Sequence, residues 1–264
     1  MIPLLEICVD SFESAVAAIR GGADRLELCA ALSEGGLTPS VGLLREVKNF
    51  IATNHASTVV LYAMIRCRRG SDFCYSSTEM KIMLHDLRLL MENGADGFVF
   101  GALTVTGEID EENCRLIATE ALAGQKPVTF HRAYDCTDRN NMRSNLEIIA
   151  SLGFTTVLSS GFESTAVQAL YTVAELVKVA NEISLKTGTL LTLMPGSGVS
   201  PSNAQEIVKR TNCSAIHASA RSTKKVDTGA LSMGGSTADG EGLLICDEAI
   251  VKEIKAQIRL WKEQ

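Results

Sequence analysis

The sequence predicts an α/β fold of one domain, a (β/α)8 barrel of the TIM type, from its length, its count of short apolar runs and a recurring glycine signature. At 264 residues, with 46% hydrophobic and 21% charged side chains, the chain has the size at which such a barrel closes around one core. Eight runs rich in apolar and β-branched residues fall at 4–9, 25–29, 59–66, 97–100, 128–132, 156–159, 190–194 and 215–219. Longer stretches of helical period separate them, and strands that alternate with helices pair in parallel through right-handed crossovers. The signature is Gly22-Ala23-Asp24, Gly94-Ala95-Asp96 and Gly153-Phe154-Thr155, a helix-ending glycine ahead of the second, fourth and sixth runs. An open doubly wound sheet gives a similar pattern. The count of eight and the lack of G-x-G-x-x-G after the first run favour the barrel.

The first strand, 4–9, sets Leu5, Ile7 and Val9 on one face and Glu6 and Cys8 on the other. Burying an acid against the helix layer is the costlier choice, so Glu6 and Cys8 point to the barrel axis. Asp10, with Glu13 after it, reads as the capping box of the first helix, whose apolar stripe is Phe12, Ala15, Val16 and Ile19. The same parity turns Glu27 and Cys29 inward on the second strand, Met64 and Arg66 on the third, His131 on the fifth, and His217 and Ser219 on the last.

The upper rim then gathers Glu6, Glu27, Arg66, His131 and His217, with Asp10, Arg132, Asp135 and Arg221 where loops begin. One reading is a network of ion pairs that fills the barrel and satisfies itself. The other is a ligand or catalytic site for a small phosphate- or carboxylate-bearing metabolite. In it Glu27 and His131 are the acid/base candidates, Glu6 and His217 assist, and Arg66, Arg132 and Arg221 clamp the anion. Convergence of so many ionisable groups from different strands favours the second. A scaffold whose mouth is vestigial and whose outer helices bind partners is a third possibility.

After the seventh strand, Met194-Pro195-Gly196-Ser197-Gly198-Val199 leads to Ser200-Pro201, which reads as a helix N-cap and first residue. Backbone N–H groups around Gly196 and Gly198 are placed to hold an anion there, unless the turn is an ordinary tight connection. In Arg66-Cys67-Arg68-Arg69 and the loop that follows to Cys74, the arginines lower a thiol pKa, clamp an anion, or form a solvated basic loop. The stretch 229–242, extending at most over about 222–246, reads as a long flexible loop and not as a domain boundary.

Net charge is −6 and the basic residues are dispersed, which argues against nucleic acid and anionic membranes as partners and for small ligands. No run approaches a membrane span, and Met1-Ile2-Pro3-Leu4-Leu5-Glu6 lacks the basic start of a secretory signal; a cytosolic or nuclear location is expected. The eight cysteines show no C-x-x-C pair or finger spacing, which excludes a zinc ribbon. Most read as small buried apolar residues. Cys8 and Cys29 differ, because both sit at upper strand ends on the inward parity. Neighbouring strands run about 5 Å apart, so the two thiolates either share one soft ion such as Cu(I) or are structural.

At these residues the chain resembles the CutC family. Glu6-Ile7-Cys8-Val9-Asp10-Ser11, Gly21-Gly22-Ala23-Asp24-Arg25-Leu26-Glu27-Leu28-Cys29, Leu32-Ser33-Glu34-Gly35-Gly36-Leu37-Thr38-Pro39-Ser40, Met64-Ile65-Arg66, Val128-Thr129-Phe130-His131-Arg132-Ala133, Met194-Pro195-Gly196 and His217-Ala218-Ser219-Ala220-Arg221 carry the resemblance from the first strand to the eighth. It implies a barrel, a cytoplasmic or nuclear home, a homo-oligomer of two or four copies, and copper homeostasis with Cu(I) on cysteines that fall on Cys8 and Cys29. The chain departs from the pattern at Cys67, where the family tends to have proline, and at Ser197, which replaces a glycine.

Overall fold

The computed structural model describes residues 2–54, 58–225 and 242–260. Its strands are β1 (Leu4–Val9), β2 (Arg25–Leu28), β3 (Val60–Met64), β4 (Gly97–Phe100), β5 (Val128–Phe130), β6 (Thr156–Ser159), β7 (Thr192–Pro195) and β8 (Ala215–Ala218). They form one parallel sheet in the order β7-β6-β5-β4-β3-β2-β1-β8. The sheet curls until its end strands meet: Met194 of β7 packs with Ala215 of β8, and a Cβ added to Gly196 would lie 3.3 Å from that of His217. This is the predicted barrel. Around it run α1 (Phe12–Gly21), α2 (Val41–Thr53), α3 (Ser77–Glu92), α4 (Glu111–Ala123), α5 (Met142–Ser151), α6 (Leu170–Thr187), α7 (Ala204–Thr211) and α8 (Glu248–Leu260).

Strand parity divides the core in two. Leu5, Ile7, Leu26, Leu28, Leu61, Phe98, Phe130 and Ile216 pack with the helices in one large cluster. Inside the barrel, Cys29, Tyr62, Met64 and Val99 form a second cluster, and Leu158, Met194 and Ala215 a third. Gly97 makes room for the second. A Cβ there would lie 2.6 Å from the Tyr62 ring, so only glycine lets this aromatic fill the axis.

Three local expectations are corrected. Asp10 does not cap α1: Ser11 does, its hydroxyl accepting from Ser14 N–H, while the Asp10 carboxylate accepts from Leu32 N–H. Ser11 is extended, as an N-cap must be, which frees Asp10 to tie down the second βα loop. α7 does not start at Ser200-Pro201. Residues 201–203 form a turn, closed by Ser200 N–H donating to Asn203 Oδ1, and the helix begins at Ala204. The loop expected over about 222–246 is bounded by structure, since β9 (Arg221–Lys224) and β10 (Leu243–Cys246) pair as an antiparallel ribbon; 226–241 lies outside the described residues. Gly22, Gly94 and Gly153 all have φ between 92° and 99°, the left-handed turn that their signature predicts.

Candidate functional site

Register assembles the barrel mouth. β1 pairs with β8 so that Glu6 faces His217, and with β2 so that Glu6 faces Arg25 and Cys8 faces Glu27. Partners across a parallel ladder share a face, so all five side chains enter the interior together. Glu6 is fully buried between two cationic partners: Arg25 Nε donates to Oε2 at 2.5 Å, and His217 Nδ1 lies 2.6 Å from Oε1. Burial would raise the Glu6 carboxyl, but the Arg25 charge and the His217 contact hold it below its ordinary value. Arg25 also lies over the Tyr62 ring at 4.5 Å and donates to Met194 Sδ at 3.2 Å.

His217, with Nδ1 on Glu6, stands beside Cys8 and Glu27. One ligand atom from each of Cys8, Glu27 and His217 falls within 4.8 Å of the others. Burial pulls the imidazole pKa down, yet the electrostatic pull of the neighbouring Cys8 and Glu27 and hydrogen bonding to Cys8 and Glu6 outweigh it and raise it well above the usual value. Glu27 is pushed up to about 7, first by burial and then by the Glu6 charge, against the pull of His217. Its Oε2 lies 3.7 Å from Cys29 Sγ. Cys29 therefore stands beyond Glu27 and not opposite Cys8. Burial and then the Glu27 charge push its thiol well above the ordinary range.

His131 closes the opposite wall. Its backbone joins β5, where its N–H donates to Phe100 O, and Ala133 N–H donates to its Nδ1 at 3.2 Å. Its ring packs on Phe73, centroids 4.9 Å apart, and a Cβ on Gly101 would come within 2.6 Å of Nδ1. Burial and then the Arg66 charge lower its pKa to about 3.

The three predicted arginines behave differently. Arg66 braces loops, donating from Nη1 to the carbonyls of Glu34 and Gly36 and from Nη2 to Gly70 O. Arg132 is tied to Asp135 and Ser160. Arg221 makes no side-chain hydrogen bond or ion pair among the described residues. The basic third loop is likewise spent internally: Arg68 bridges Asp72 and Glu79, and the thiols of Cys67 and Cys74 are raised by burial, not lowered as the neighbouring arginines suggest. Ser197 has φ 77°, a left-handed conformation that glycine adopts more readily than serine.

A cavity of about 360 Å³ joins these groups, lined among others by Cys8, Glu27, Arg66, His131, His217 and Arg221. Parity found most of it. Arg25 and Tyr62 were missed although their parity is that of Glu27 and Met64, because a residue at the lower end of a strand reads as solvent-facing until the register places it.

Fold and site define the class: a (β/α)8 barrel with a buried polar constellation and a ligand-sized cavity at the carboxyl ends of its strands. The chain belongs to the CutC family, whose profile matches residues 3–222. It is 45% identical over 84% of its length to a Drosophila melanogaster protein named copper homeostasis protein cutC homolog, and covers 79% of that protein. It is 42% identical over 96% of its length to the Homo sapiens protein of the same name, covering 88% of it. The crystal structure of CutC from Streptococcus agalactiae superposes with TM-score 0.74 at 28% identity, spanning 83% of this chain and 99% of that one. Thiamine phosphate pyrophosphorylase of Pyrococcus furiosus, at 11% identity and TM-score 0.56 over 98% and 96% of the two chains, shares the fold alone.

Proposed function

We propose that the protein binds Cu(I) at the mouth of its barrel in the service of copper homeostasis, acting in the cytoplasm or nucleus as an assembly of two or four copies. The family supports the copper role, and one observation carries the site: a thiol, an imidazole and a carboxylate within 4.8 Å of one another. Soft thiolate and imidazole ligands suit Cu(I), which accepts the low coordination that a buried pocket enforces. Cys8 is the first ligand. His217 is the second, its ring held through Nδ1 by Glu6 at 2.6 Å, which leaves Nε2 as the nitrogen that would coordinate. Cys29, 3.7 Å beyond the Glu27 carboxylate, is the further thiolate that a swing of Glu27 would admit. Glu6, paired with Arg25, would hold the His217 ring and balance the charge of an ion bound beside it.

Anaerobic Cu(I) titration against a competing chelator tests the reading. The wild-type protein is expected to take one ion per chain. Glu6→Gln, which releases the His217 ring, should weaken it about 10–100-fold, and the Cys8→Ser/Cys29→Ser double variant more than that. Affinity unchanged in the double variant removes copper from this site.

A further inference from the structure

Copper uses Cys8, His217 and Cys29, and leaves other buried groups in the same cavity without partners. Glu27 Oε1 and His131 Nε2 have no hydrogen-bond partner among the described residues, although both residues are 4% exposed. Buried polar atoms are almost always paired, and exceptions cluster where a ligand completes the bonding. The bonding at His131 fixes its tautomer. Because Ala133 N–H donates to Nδ1, the neutral ring carries its proton on Nε2, an unpartnered buried donor on a residue that lines the cavity. Glu27, which lines the same cavity, has in Oε1 an unpartnered buried acceptor.

At the rim, Ser197, Gly198 and Val199 line the cavity, and none of their N–H groups donates to a described residue. Arg221 lines it too, with no side-chain partner among the described residues. These loops follow β7 and β8, where barrels of this type hold phosphate. One end of the cavity thus offers donors for an oxyanion; the interior offers an acceptor and a neutral imidazole donor.

We propose that the barrel mouth is a catalytic site for enolisation, in which Glu27 moves a proton from the carbon beside a carbonyl of a small phosphorylated compound while His131 Nε2–H holds the carbonyl oxygen. The phosphate sits against residues 197–199 and Arg221. The Glu27 carboxylate forms an O–H bond to the proton as the C–H bond breaks, the freed electron pair becomes the carbon–carbon double bond, and the carbonyl pair moves onto the oxygen that faces His131. Return of the proton to the same carbon exchanges it; where that carbon bears a hydroxyl, return of the proton to the former carbonyl carbon, with the hydroxyl proton passing to the oxygen beside His131 as the hydroxyl becomes the new carbonyl, interconverts aldose and ketose. The step consumes nothing. A carboxylate base with a neutral histidine electrophile is an established pairing for this chemistry.

The test uses the full chain freed of copper, so that it stands or falls apart from the copper reading. Inorganic phosphate, titrated into ¹⁵N-labelled protein, should shift the amides of 197–199 saturably, and Arg221→Ala should weaken the binding about tenfold. Phosphorylated aldoses and ketoses incubated with the protein in D2O should gain deuterium beside the carbonyl. Glu27→Gln should slow that gain more than about 100-fold while phosphate still binds, which shows the variant folded. Phosphate that fails to saturate, binding indifferent to Arg221→Ala, no deuterium in any compound, or exchange that persists in Glu27→Gln would each overturn the proposal.

Discussion

At the scale of the residue, the mouth is governed by how each ionisable group is partnered, and neighbours one register step apart end in opposite states. Glu6 lies between Arg25 and His217 and stays charged; Glu27, facing Cys8, is pushed up to about 7 because burial dominates. His131 is the mirror case. Its ordinary value of 6.5 falls to about 3, so at mildly acid pH the unfolded chain takes up a proton that the folded chain refuses. Stability present above 6.5 is therefore lost as pH falls toward 3. Between pH 7 and 5 the loss is about 2 kcal/mol. Urea unfolding at the two pH values should show His131→Gln losing less than the wild type by roughly that amount, and identical pH dependence would mean that the ring is protonated in the fold.

At the scale of the element, each strand serves two cores, and small residues decide what the inner one holds. Gly97 and Gly101 do so on β4 and just beyond it: an added Cβ would lie 2.6 Å from the Tyr62 ring at one and 2.6 Å from His131 at the other. Gly97→Ala should cost roughly 1–3 kcal/mol, the usual range for overpacking, and should displace Tyr62 from the Arg25 guanidinium. Denaturant midpoints measure the first effect and the Tyr62 ring shifts by NMR the second; a variant as stable as the wild type would mean that the axis is loosely filled. The turn after β7 shows the limit of local signals. Ser200-Pro201 has the composition of a helix start, yet the Asn203 side chain draws Ser200 N–H into a turn, and the N–H groups of 197–199 are left without a partner among the described residues.

At the scale of the whole molecule, the barrel is closed by packing across the β7–β8 seam, where Gly196 rests against His217, so the site and the closure of the fold share residues. No described helix is long and apolar enough to cross a membrane. The proposed assembly belongs to this scale: light scattering should give two or four times the 28.3 kDa of the chain, and a single chain's mass would discard it. By itself the sequence determined the strands to within a few residues, the family, and the inward face of β1, β2, β3, β5 and β8, because a period of two and the cost of burying an acid against aliphatics are local facts. Only the tertiary structure decided who meets whom. Register placed Glu27, not Cys29, opposite Cys8, made Arg25 the partner of Glu6, and left Arg221 without a side-chain partner among the described residues where Arg66 and Arg132 are bound. The offset between strands is set by how the entire sheet tilts to close, a global condition that no single strand carries in its own letters.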